Sequence, residues 1–175
     1  FSQLTQIIPN FIDEKLMHGK RNSKLTYVSK NTNFLFIGGL NERKAPLELL
    51  EAFRCLKKTT ENCTLTYVGD GPLMDKLVEK CRSFELSKFV RFEGHLNDVS
   101  KSLNEADVFV LPSYSEGTSR ASMEALYFGL PCIMRNVDSN KHLIMSQKQG
   151  SLFEHNSELP KLMKTFCKLK KEKID

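Results

Sequence analysis

The chain has 175 residues, 40% of them hydrophobic and 27% charged, with a formal net charge of +5 at pH 7. This length allows one domain with a full core, and this balance excludes disordered and collagen-like classes. No apolar run approaches the roughly 18 residues needed to span a bilayer, and Phe1 to Phe11 lacks the basic start and small-residue cleavage site of a secretory signal.

In chain order, Ile7-Ile8-Pro9-Asn10-Phe11-Ile12-Asp13 reads as an extended lead-in that proline keeps from becoming helix. From residue 33 onward a short apolar run, a Gly- or Pro-rich turn and an amphipathic segment alternate. The strand candidates are Phe34 to Gly38, Leu65 to Val68, Phe89 to Phe92, Val108 to Leu111 and Cys132 to Met134. The helix candidates are Pro46 to Lys57, Pro72 to Phe84, Val99 to Asn104, Ser119 to Phe128 and Glu158 to Lys171. Pro46 and Pro72 are each expected as a first helical residue, where the missing N–H costs nothing. The alternation predicts an α/β fold: a Rossmann-like, doubly wound, mainly parallel sheet of about five or six strands with helices on both faces. In such a sheet Gly38-Gly39, Gly69-Asp70-Gly71, Gly94 and Pro112-Ser113 line the carboxyl edge, where doubly wound folds bind ligands.

The five cysteines, Cys55, Cys63, Cys81, Cys132 and Cys167, form no C-x-x-C pair. Most have apolar neighbours, so reduced buried thiols in a cytoplasmic protein are expected, and no zinc site. Basic residues gather towards the ends, at Lys15, Lys20, Arg21 and Lys24 and at Lys161, Lys164, Lys168, Lys170, Lys171 and Lys173. A solvated tail and helix face accounts for them; peripheral contact with the inner face of a membrane is the alternative. No aromatic residues interleave with these charges, so nucleic acid is not an expected partner.

The segment from Pro112 to Leu126 carries the candidate chemistry. Glu116 stands before a helix start, whose free N–H groups and positive dipole end suit an anion, and Glu124 lies within the helix. At 1.5 Å per residue the two carboxylates would be roughly 12 Å apart along the axis. This is long for a glycosidase acid and nucleophile, and nothing else in the chain points to hydrolysis.

Several motifs then follow in order: Ile8-Pro9-Asn10-x-x-Asp13; Phe36-Ile37-Gly38-x-Leu40 with Lys44; Val68-Gly69-Asp70-Gly71-Pro72; and Phe92-x-Gly94. After these come Ala106-Asp107 leading into Pro112-Ser113, Glu116-Gly117-x6-Glu124-Ala125 and Gly129-x-Pro131. Together they closely resemble the C-terminal half of the retaining glycosyltransferases of family 4. The resemblance implies one half of a GT-B enzyme, with residues 1 to 13 as the interdomain linker and 14 to 175 as the nucleotide-sugar (donor) binding domain. The N-terminal acceptor domain would be absent, and the fragment alone inactive. Transfer of a sugar from a nucleoside-diphosphate sugar to an acceptor hydroxyl, in bacterial surface polysaccharide synthesis, is what the likeness implies. A nucleotide-sugar epimerase and a non-catalytic nucleotide-binding or interaction module are the alternatives.

By likeness, Glu116 would orient the donor sugar, Lys44 would neutralise diphosphate charge and Glu124 would hold the ribose hydroxyls. Backbone N–H groups of Thr118, Ser119, Arg120 and Ala121 would meet the sugar and diphosphate. Gly38 and Gly39 would let the backbone approach a phosphate, and Leu96, after Gly94 and His95, would lie near the base. No cofactor and no metal are implied, since helix-terminal N–H groups and Lys44 take the metal's place. Gly39 stands where the family carries an arginine and Ala45 where it carries a glycine, so Arg43 or Arg120 is expected to supply the second cation.

Overall fold

A computed structural model describes residues 31–172, with side chains to residue 168. The N-terminal lead-in, Lys15, Lys20, Arg21, Lys24 and Lys173 lie outside the described residues, as do the side chains of Lys170 and Lys171. Six strands form one parallel sheet: β1 (Thr32–Ile37), β2 (Cys63–Val68), β3 (Val90–Phe92), β4 (Val108–Leu111), β5 (Cys132–Arg135) and β6 (Gly150–Phe153). Their order is β3-β2-β1-β4-β5-β6, the doubly wound arrangement. The helices are α1 (Pro46–Lys57), α2 (Met74–Ser83), α3 (Ser100–Glu105), α4 (Arg120–Tyr127), α5 (Asp138–Lys141) and α6 (Leu159–Glu172).

The central strands are buried along both faces, as parallel strands covered by helices must be; every residue of β4 and β5 is inaccessible or nearly so. Helix α1 starts on Pro46 and buries Leu49, Leu50, Phe53 and Leu56, while Arg54 and Lys57 in its last turn complement the dipole. It packs on α6, which buries Leu159, Met163 and Cys167 at a spacing of four. Across three neighbouring strands Tyr67 stacks on Phe92 with ring centroids 5.3 Å apart and meets Phe36 at a tilt, 5.4 Å away. The Tyr67 hydroxyl donates to the Pro46 carbonyl at 2.9 Å, and burial raises its pKa well above the usual range. Among the described residues the cysteines form no disulfide: Cys63, Cys81, Cys132 and Cys167 are buried and Cys55 is exposed.

Two local expectations are corrected. Helix α2 begins at Met74, not at Pro72: residues 72 and 73 form a turn first, closed by the Met74 N–H donating to the Gly71 carbonyl at 3.1 Å and tied to the β1 loop by the Leu73 N–H donating to the Leu40 carbonyl at 2.9 Å. Strand β6 and the short helix α5 add to the anticipated elements, as do one-turn 3-10 segments at Glu42–Lys44 and Asn156–Glu158.

The loops after β1 and β2 meet closely. A Cβ on Gly69 (φ 131°) would stand 2.0 Å from the Gly38 carbonyl oxygen, and one on Gly71 2.5 Å from that of Leu40. Gly117 has nothing within 4 Å. We expect Gly69→Ala to lower stability by about 2 kcal/mol or more and Gly117→Ala to change it by less than about 0.5 kcal/mol, read from urea midpoints. Equal midpoints for the two variants would contradict the close approach.

Candidate functional site

At the carboxyl edge of β1 the Gly38 N–H donates to the Val68 carbonyl at 3.0 Å and the Leu40 N–H to that of Asp70 at 2.9 Å. Asn41 then caps the 3-10 turn Glu42–Lys44, its side-chain oxygen accepting from the Lys44 N–H at 3.1 Å. Ala45 ends the turn in the left-handed region, φ 52° and ψ 44°, so that Pro46 can open α1. A non-glycine residue there carries about 1 to 2 kcal/mol of strain, which is the physical reason a glycine is expected at that place.

The turn points Lys44 across the edge, and its Nζ lies 2.6 Å from Glu116 Oε1. Glu116 belongs to the loop after β4, which is tied to the same turn in three other ways. The Tyr114 N–H donates to the Arg43 carbonyl at 2.9 Å, Arg43 Nη1 donates to the Ser115 carbonyl at 2.8 Å, and the same Nη1 lies 3.5 Å from Glu116 Oε2. The Glu116 side chain is 5% exposed, Lys44 15% and Arg43 52%. Thus Arg43, although on the surface, joins Lys44 around one buried carboxylate. Gly39 fits this arrangement, since a Cβ there would press on Asn41 Nδ2 at 3.1 Å and disturb the cap that holds the turn.

Helix α4 starts at Arg120, with Ser119 as its cap; the Ser119 hydroxyl accepts from the Ser122 N–H at 3.3 Å. The N–H groups of the first turn, including those of Arg120 and Ala121, have no intrahelical acceptor. Residues 116 to 119, with Thr118 among them, are loop rather than helix, so Glu124 sits about one turn inside α4 and the helical estimate of the carboxylate separation does not hold. Glu124 is buried, and its Oε1 accepts from Arg120 Nε at 2.8 Å. Lys44 and Arg43 outnumber the one carboxylate between them, and this local cluster beside a helix start suits an anion. Leu96 follows β3 on the same edge, half-buried, and His95 beside it is exposed.

Arg135 escaped the sequence reading. It ends β5 buried, with its guanidinium 4.4 Å from the centre of the Tyr114 ring and 4.9 Å from that of Phe153. Nε donates to the Pro112 carbonyl at 3.0 Å, Nη1 to that of Glu154 at 3.0 Å, and Nη2 to Asn156 Oδ1. It therefore fastens the Glu116 loop to the end of β6. The signal available was a lone arginine closing an apolar strand. A separate groove of about 820 Å³, lined by Arg54, Lys57, Phe84 and Phe89 among others, lies at the opposite edge and shares none of these residues. Among the described residues no group of three or more His, Cys, Asp or Glu is placed to hold a metal, and no helix is long and apolar enough to cross a membrane. Arg135→Ala should cost about 2 kcal/mol or more in urea unfolding, because the buried Pro112 carbonyl and two part-buried acceptors lose their donor and two aromatic rings lose a packing partner. A loss below about 0.5 kcal/mol would show that the clamp is not needed for the fold.

Residues 20–173 match the family model of the glycosyl transferases, group 1. Over 159 residues the chain is 34% identical to the UDP-Gal:alpha-D-GlcNAc-diphosphoundecaprenol alpha-1,3-galactosyltransferase of Escherichia coli, an alignment covering 86% of this chain and 41% of that enzyme. WaaG, a glycosyltransferase involved in lipopolysaccharide biosynthesis, superimposes with a TM-score of 0.81 at 22% identity, over 97% of this chain and 49% of that one. The pneumococcal O-GlcNAc transferase GtfA, solved with UDP and GlcNAc, gives 0.73 at 23% identity, over 85% of this chain and 31% of that one. The chain thus spans less than half the length of these relatives. It belongs to the group 1 glycosyl transferases and has the Rossmann-like fold of a GT-B domain.

Proposed function

We propose that this domain binds the nucleoside-diphosphate sugar of a retaining glycosyltransferase and presents its anomeric carbon to an acceptor hydroxyl held by another domain. The observation that carries the reading is the pairing of Lys44 and Arg43 around Glu116 at the β1 and β4 ends, with buried Glu124 one turn into the adjoining helix. In this reading the diphosphate takes Lys44, Arg43 and the N–H groups at the start of α4, while Gly38 and Gly39 leave room for it. Developing negative charge on the leaving diphosphate is stabilised there by fixed cations and dipoles, without a metal. Glu124 accepts from the ribose hydroxyls with its free oxygen, Glu116 accepts from hydroxyls of the sugar, and Leu96 lines the base.

The relatives support a surface-glycan role. The galactosyltransferase acts by name on a diphosphoundecaprenol-linked acceptor with UDP-Gal, and WaaG is involved in lipopolysaccharide biosynthesis. A cytoplasmic site of action, with peripheral contact at the inner membrane face, accords with a lipid-linked acceptor. Calorimetry of the chain against UDP, GDP and ADP tests the reading. One diphosphate should bind at millimolar or lower Kd, and Glu124→Ala and Lys44→Ala should each weaken it by about tenfold or more, the value of a charge-assisted hydrogen bond. No binding to any of the three would overturn the donor assignment in favour of a non-catalytic module.

A further inference from the structure

Glu116 is the counter-ion of the same two cations that the proposed function gives to the diphosphate. Its Oε1 accepts from Lys44 Nζ at 2.6 Å, its Oε2 faces Arg43 Nη1 at 3.5 Å, and only 5% of the side chain is exposed. A diphosphate that takes these cations takes them from Glu116. The carboxylate is then a buried anion beside a second anion, which is strongly unfavourable unless new donors reach it. Sugar hydroxyls are such donors, and a spent nucleoside diphosphate has none at that place.

We propose that Glu116 makes the site discriminate between sugar-loaded donor and spent nucleoside diphosphate. The sugar compensates Glu116 for the lost cations; after transfer, the carboxylate reclaims Lys44 and Arg43 and drives the diphosphate out. The exchange needs no movement of the sheet, because the loops after β1 and β4 are already fastened together by the Tyr114 to Arg43 and Arg43 to Ser115 hydrogen bonds. Only the ion pairs change partner. This inference rests on the assignment of Lys44 and Arg43 to the diphosphate. A rival geometry exists: Lys44 has three N–H donors and could keep Glu116 while also holding a phosphate oxygen. In that case Glu116 would assist diphosphate binding or leave it unchanged.

The two geometries predict opposite signs. Calorimetry on the 175-residue chain compares wild type, Glu116→Gln and Glu116→Ala, using UDP with UDP-galactose, GDP with GDP-mannose and ADP with ADP-glucose. Circular dichroism melts confirm that each variant is folded. For the nucleotide that binds, both substitutions should tighten the free diphosphate by about fivefold or more while the sugar nucleotide stays level or weakens, so that the preference for the loaded donor collapses. Unchanged or weaker diphosphate binding in both variants overturns the inference and leaves the donor site standing. If wild type binds none of the six ligands, the donor assignment itself falls and the inference with it.

Discussion

Right-handed crossovers govern this molecule. From β1 the chain steps through α1 to β2 on one side, and from β4 it steps through α4 to β5 on the other, so the two helices leave the sheet on opposite faces. Strands β1 and β4 pair only at Phe34 with Val108 and Leu35 with Phe109, after which the remaining residues of each align with their outer neighbours β2 and β5. A crevice therefore opens between the ends of two largely buried strands. Every residue assigned a role in charge recognition is hung from that opening by a short loop.

Those loops are held from both sides. Gly69 and Gly71 let the β2 loop press against the backbone of the β1 loop, Asn41 fixes the turn bearing Arg43 and Lys44, and Ser119 fixes the start of α4. Tyr114 adds a second anchor on α1, its hydroxyl donating to Glu48 Oε1 at 2.9 Å. The charged groups thus meet at distances set by backbone contacts, and their mutual attraction contributes orientation more than cohesion. This is the pre-organisation that an electrostatic site requires.

Much of this was legible from residue order. The apolar runs of β1, β2, β4 and β5 are short, largely buried and bounded by Gly or Pro, and the stripes of α1 and α6 follow helical spacing. Strand β6 was hidden because Gly150-Ser-Leu-Phe153 carries only two apolar side chains and is partly exposed at its centre, unlike the equally short β4 and β5. The expectation at Pro72 failed because residues 72 and 73 form a separate turn docked on the β1 loop, and no local propensity encodes that docking. The spacing of Glu116 and Glu124 was legible as a number of residues but not as a distance, since where the helix begins depends on the Ser119 cap. Of the two arginines offered as the second cation, Arg43 reaches Glu116 and Arg120 reaches Glu124, a division that only the paths of the two loops decide.

The bond set of Arg135 has a consequence beyond holding a loop. Its partners are carbonyls, an amide and two aromatic rings, and among the described residues no carboxylate stands within ion-pair distance of it. Neutral groups fix its position without cancelling its charge, and burial limits screening by mobile ions. Its field therefore extends over the crevice and adds to those of Lys44 and Arg43. For the diphosphate proposed above, this charge acts at a distance, so Arg135 would aid capture without touching the captured molecule.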